Sequence, residues 1–126
     1  MNTIFDQLDI RRRPAKPRQI GLTMVLDKNL GPAATADLVA TAGGYIDLLK
    51  LGWGSSTLYP ESVLDEKIAL LRGAQIRVCP GGTFLEVAFE RSEIPATLRL
   101  LKLKGFDAVE VSDGIHPTMT RKQKLD

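Results

Sequence analysis

Tyr45-Ile46-Asp47-Leu48-Leu49-Lys50-Leu51 is an apolar run of strand length that stops at Gly52-Trp53-Gly54-Ser55-Ser56. Residues 60–72 follow with Val63, Leu64, Ile68, Leu70 and Leu71 at the spacing of an amphipathic helix. Strand, glycine loop and helix in that order make one βα unit. The same order recurs on either side. Upstream, Ile20 to Leu26 is apolar and ends at Asp27-Lys28-Asn29 and Gly31-Pro32; residues 33–42 then carry helix formers up to the stop at Gly43-Gly44. Downstream, Gln75 to Cys79 breaks at Pro80-Gly81-Gly82. Thr83 is placed to cap a short helix through Glu90, and Glu93 to Lys104 carries Leu98, Leu100, Leu101 and Leu103. Ala108 to Val111 reads as a fourth strand ending in Ser112-Asp113-Gly114, and Thr118 as the start of another helix.

The order β-α-β-α-β-α-β predicts a parallel sheet with right-handed crossovers. Four such strands make either a small open doubly wound sheet or half of a closed barrel, which takes about 250 residues. Residues 1–18 are polar and basic and contain Pro14 and Pro17, so they read as an arm preceding one α/β domain over 19–126.

A length of 126 residues, 44% hydrophobic and 25% charged, suits one globular domain. The formal net charge of +2 comes from basic residues at the two ends. A near-neutral middle lacks the continuous basic face of a nucleic-acid binder, and an arm of Arg11, Arg12, Arg13, Lys16 and Arg18 would touch phosphates only nonspecifically. No nucleic-acid partner is expected. The single cysteine, Cys79, makes no intrachain disulfide and reads as a small buried hydrophobe. No apolar stretch approaches membrane-spanning length and no signal-peptide core opens the chain, so a cytoplasmic protein with no membrane partner is expected.

The polar residues fall at the ends of the strands. Asp27-Lys28 follows the first, Lys50 and Gly52-Trp53-Gly54-Ser55 the second, Gly81-Gly82-Thr83 the third, and Glu110 with Ser112-Asp113-Gly114 the fourth. All would share the C-terminal rim, where parallel α/β folds bind ligands. Gly81-Gly82-Thr83 opening a helix suits a phosphate or carboxylate, or is a tight turn that needs glycine. Lys50 either reaches water or faces a bound anion. Asp27, Glu110 and Asp113 are oxygen donors of the type Mg2+ prefers, or caps of helices and loops. Asp47, on the face opposite Lys50, reads as a structural acceptor. Neither the lone His116 nor any Cys/His run suggests zinc, and no nucleotide fingerprint is present.

Several strings together resemble the phosphosulfolactate synthase family, which includes enzymes of coenzyme M biosynthesis. They are Lys16-Pro17-Arg18 with Gly21-Leu22-Thr23 and Asp27-Lys28; Tyr45-Ile46-Asp47 into Lys50-Leu51-Gly52-Trp53-Gly54-Ser55-Ser56; Glu66-Lys67-Ile68; Gly81-Gly82-Thr83 with Glu86; and Gly105-Phe106 leading to Val109-Glu110-Val111-Ser112-Asp113-Gly114. The resemblance implies a (β/α)8 barrel of which about four βα units are present. It also implies Mg2+-dependent addition of sulfite to phosphoenolpyruvate, a carbon–sulfur lyase reaction giving (2R)-phospho-3-sulfolactate, or sulfolactate as the end product where coenzyme M is not made. Under it, Lys28 and Lys50 are the candidate catalytic cations and Asp27, Glu110 and Asp113 the candidate metal neighbourhood. Arg18, Gly52, Trp53, Gly54, Ser55, Gly81, Gly82, Thr83 and Ser112 are the candidate substrate and phosphate contacts. Half a barrel leaves an edge and a face uncovered, so a homo-oligomer is expected. A non-catalytic module related to plant heat-stress proteins that resemble the family, or an inactive fragment, is the alternative.

Overall fold

The computed structural model describes residues 13–115 and 119–126. Three parallel strands, β1 (Met24–Asp27), β2 (Leu48–Leu51) and β3 (Arg77–Cys79), form one sheet in sequence order. The helices are α1 (Pro32–Ala42), α2 (Glu61–Gly73), α3 (Gly82–Glu90), α4 (Ile94–Lys104) and α5 (Arg121–Leu125), with 3-10 turns at Gly43–Tyr45 and Gly52–Thr57. This is an α/β fold built from successive βα units, as in part of a (β/α)8 barrel. Each crossover helix starts where the sequence provides for it. Pro32 fills the first turn of α1, where its missing N–H costs nothing.

The pleat sorts the sheet into two faces. Register sets Val25, Leu49 and Val78 side by side, with Asp27 beside Leu51 in the next layer; these side chains meet the helices. Ile68 and Leu71 of α2 and Ile46 and Ile76 from the strand entries complete that core. Leu49, Leu51, Leu71 and Val78 are all completely buried, a transfer of about 1.5–3 kcal/mol for each side chain. The opposite face carries Met24, Leu48 and Arg77 in one layer and Leu26, Lys50 and Cys79 in the next. Met24 and Leu26 are exposed there.

The strands are shorter than the apolar runs suggest. Gly21 turns with φ 61° and Ile20 and Leu22 stay exposed, so β1 begins at Met24 rather than Ile20. The Tyr45–Leu51 run is divided because Gly43–Tyr45 coils into a 3-10 turn and Asp47 is drawn aside by arginines. The expected fourth strand, Ala108 to Val111, forms no ladder. Asp107 and Ala108 donate their N–H groups to the Val78 carbonyl, and the Asp107 carboxylate accepts the Val78 N–H at 2.9 Å. That local loop replaces strand pairing. Thr83 does not cap α3; the N-cap is Gly81, and no side chain caps it. The last helix is started by Thr120, whose side chain accepts from Gln123 N–H in a reciprocal capping box. Thr118 and His116 lie outside the described residues. Among the described residues no helix is long and apolar enough to cross a membrane.

Candidate functional site

A cleft of about 210 Å³ opens at the C-terminal end of the sheet, lined by Leu26, Lys50, Gly52, Trp53, Gly81, Gly82, Thr83, Glu110 and Ser112. Most of the rim residues singled out above therefore meet in one place. Lys50 reaches the cleft because it sits on the open face of β2, one residue before the strand ends. Its ammonium pairs with Glu110 Oε2 at 2.9 Å, and both side chains keep partial access to solvent.

Gly81 and Gly82 form the adjoining wall, where a Cβ on Gly81 would lie 3.6 Å from Lys50 Cγ and one on Gly82 3.4 Å from Glu110 Cγ. Gly81 has φ 83°, a left-handed conformation that a side chain would strain, and a Cβ there would stand 3.0 Å from the Leu51 carbonyl. A Cβ on Gly82 would fall 2.2 Å from Ser112 Oγ. With both glycines the loop closes tightly, and the N-terminal end of α3, whose first N–H groups have no partner within the helix, borders the cleft. Such an end favours an anion.

Trp53 stands at the mouth, 71% exposed, with φ 57° and ψ 33°. A left-handed aromatic residue costs about 1–2 kcal/mol, and strain of this kind concentrates at functional sites. Trp53 also borders an adjoining groove of about 370 Å³ with Gly54, Leu58, Phe84 and Val87. Beneath the cleft, Cys79 is buried and unbridged; burial pushes its thiol up, which keeps it protonated and inert.

Other residues singled out in the sequence lie elsewhere. Arg18 is at the opposite end of the sheet, where its guanidinium donates to Asp47 Oδ1 at 2.8 Å and to the Pro14 and Gly44 carbonyls. Asp47 also accepts from Arg13 and from the Thr23 N–H, while Lys16 donates to the Gly43 and Ala74 carbonyls. The described part of the arm is thus stapled to the base of the sheet. All three of Arg18's nitrogen groups have partners there, away from the cleft where it was expected as a substrate contact. The Thr23 N–H, followed by the two guanidiniums, holds the Asp47 carboxyl below its usual range against the opposing effect of burial.

Asp27 points to the helix face, not the cleft. It forms a fully buried ion pair with Lys67 of α2 and accepts the Leu30 N–H at 2.8 Å. Lys67 also donates to the Leu30 carbonyl and to Thr35 Oγ1, and lies 5.4 Å from the Tyr59 ring centre. Tyr59 donates to the same Leu30 carbonyl, and its hydroxyl is pushed up to about 12 by burial and by Asp27. This cluster fixes the β1–α1 loop, on which Lys28 is exposed without lining the cleft. Asp113 pairs with Lys124. Among the described residues no group of three or more acidic, His or Cys side chains is disposed to hold a metal ion. Of the three carboxylates proposed from the sequence, only Glu110 is in the cleft. Ser55 is buried outside it.

Two residues that organise the site were named only within the strings that carry the family resemblance, without a role. Lys67 occupies the i+3 position of the stripe Leu64, Lys67, Ile68, Leu71, and that placement inside an apolar face was the available signal. Glu86, 1% exposed on α3, holds the segment after Glu110: it accepts from Ser112 Oγ, from Gly114 N–H and from Ile115 N–H.

Residues 11–126 match the family described as (2R)-phospho-3-sulfolactate synthase (ComA). Phosphosulfolactate synthase of Methanothermobacter thermautotrophicus is 36% identical over 102 residues, 81% of this chain and 40% of that protein. That of Methanocaldococcus jannaschii is 43% identical over 96 residues, 76% of this chain and 38% of that protein. That of Bacillus subtilis is 33% identical over 117 residues, 93% of this chain and 45% of that protein. The chain therefore spans less than half the length of the curated relatives it matches.

Proposed function

Because the chain belongs to the phosphosulfolactate synthase family, we propose that its cleft forms part of a (β/α)8-barrel site at which sulfite adds to phosphoenolpyruvate to give (2R)-phospho-3-sulfolactate. The observation that carries this is the convergence of Lys50, the N-terminus of α3, Glu110 and Ser112 on one small cleft. In the reaction the sulfur lone pair forms a bond to the methylene carbon, and the displaced π electrons move onto the carboxylate. A proton then arrives at the carbon bearing the phosphate. Negative charge thus develops where fixed positive charge and oriented N–H groups stabilise it most.

In this reading Lys50 offsets the charge developing on the substrate carboxylate, with Glu110 holding its ammonium in place. The Gly81-Gly82-Thr83 segment receives the phosphate at the helix N-terminus. Gly52 and Trp53 wall the cleft against water, and the exposed Lys28 on the neighbouring loop adds positive potential at the rim. Magnesium fits in a limited way: it is commonly held by one or two carboxylates together with substrate oxygens, and Glu110 is the cleft carboxylate that would contribute. It would supply further stabilisation of the carboxylate charge. Asp27 is engaged by Lys67 on the helix face, and Asp113 pairs with Lys124 outside the cleft lining.

The test is phosphoenolpyruvate consumption by the 126-residue chain with magnesium and sulfite, with phosphosulfolactate followed by mass spectrometry against a control lacking sulfite. Sulfite-dependent product that disappears in Lys50→Ala supports the reading. A folded chain that binds phosphate and makes no product would support the non-catalytic module instead.

A further inference from the structure

The sheet is unfinished at both sides. Among the described residues β1 pairs only with β2, so the outward N–H and C=O groups of Met24–Asp27 have no ladder partner. On the other side, β3 is met by Asp107 and Ala108, whose N–H groups both reach the Val78 carbonyl, and no ladder continues beyond them. Ala108 to Val111, a strand by its sequence, therefore follows β3 unpaired, with Val109 and Val111 exposed. An open edge of this kind is a template for another strand.

The face between the two edges is unfinished as well. Met24 is 53% and Leu26 44% exposed, and Leu48 beside Met24 is half-buried. Arg77 stands at the foot of β3 and the Lys50–Glu110 pair at the rim. Side chains of this apolar kind fill the interior of a closed parallel barrel in layers.

We infer that this face and both edges are covered by a second copy of the chain. The two copies close one eight-stranded parallel barrel, four strands from each, in which residues 108–111 of one copy pair with β1 of the other. Symmetry selects the arrangement. A twofold axis parallel to the strands keeps every strand running the same way and satisfies both edges of both copies at once, an isologous contact that closes on itself. A twofold axis across the strands would pair β1 with β1 antiparallel and leave both residues 108–111 and the apolar face in water. The supply of chain agrees: one copy spans less than half the length of its relatives, so two provide about the strands of one barrel. Because the axis keeps the C-terminal strand ends together, the two clefts open at the same rim. The inference concerns assembly and stands or falls independently of which ligand the cleft receives.

Sedimentation velocity of the 126-residue chain at about 10 μM should show a species of twice the 13.8 kDa of one copy. Met24→Lys, at a position that a single copy leaves exposed, puts two like charges inside the barrel; it should weaken association at least ~100-fold with the circular dichroism of the fold unchanged. The pairing itself is read by cysteines, since Cys79 is buried and adjacent strands lie about 4.8 Å apart. A Leu26→Cys chain mixed with a Val109→Cys chain should be joined by a short thiol cross-linker at least about fivefold more than either chain alone. A chain that stays monomeric at about 100 μM would overturn the inference and hand the face to a chain of different sequence. A dimer indifferent to Met24→Lys, or one in which Leu26→Cys links preferentially to itself, would overturn it too, because association would then use another surface or the antiparallel β1 contact.

Discussion

Replacing Lys67 by methionine removes one half of a completely buried ion pair while nearly preserving side-chain volume. Asp27 keeps only the Leu30 N–H, and the Leu30 carbonyl and Thr35 Oγ1 each lose a donor. Stranding one charge of a buried pair costs about 3–5 kcal/mol, against a total of about 5–15 kcal/mol for a domain. With a urea slope of about 2 kcal/mol per molar, the unfolding midpoint of Lys67→Met should fall by about 2 M. Trp53 emission and far-ultraviolet circular dichroism would follow the transition. Substituting Asp27→Asn in the same chain removes the stranded charge, so the double variant should recover at least half of the loss. The coupling between the two substitutions then measures the pair itself. A loss below about 1 kcal/mol in Lys67→Met, or strictly additive effects, would refute the argument that this pair anchors the β1–α1 loop.

Asp47 has its carboxyl held below the range of the unfolded chain, so its stabilising contribution is complete above about pH 4 and is lost as pH falls through the folded value. Asp47→Asn should flatten the acid limb of a stability–pH profile, measured by urea denaturation, while lowering stability near neutral pH. Cys79, buried and with its thiol pushed up, should react with a thiol reagent at about pH 8 at least ~100-fold more slowly in the native chain than in denaturant. Gly82→Ala puts a methyl group onto Ser112 Oγ, which should cost about 1–3 kcal/mol and weaken phosphate binding at least tenfold by Trp53 titration. Loss of binding with no change in stability would mean the wall shifts freely.

The order of elements was legible because each apolar run ends in a charged or glycine-rich break, and Gly52, Gly81 and Gly82 mark the turns into helices. Strand ends were less legible. Tyr45 and Ile46 are as apolar as Leu48 and Leu49, yet the turn at Gly43 and the pull of Arg13 and Arg18 on Asp47 take them out of the ladder. Lys50, Gly81 and Gly82 were anticipated at the cleft because rim position follows from strand order, whereas Glu110 and Ser112 reach it from a loop although the fourth strand expected there does not form. What a carboxylate faces does not follow from strand order. Asp27 ends its strand just as Lys50 nearly ends its own, but one residue of register turns it toward α2. Lys67 carries no role in the sequence alone; its place among the buried Leu64, Ile68 and Leu71 gives it one.

The division of β2 into two faces has a genetic corollary. Leu48 and Lys50 lie on the open face that leads to the cleft, and Leu49 and Leu51 meet the core, so even and odd positions along this strand answer to different selective demands. A point change at one parity leaves the other untouched. Deleting a single codon ahead of Leu48 exchanges the parities: Lys50 would be driven among the helices and a leucine into the cleft. Length variation in this lineage should accordingly be confined to the turns between units, with the strands invariant in residue count even where their sequences drift.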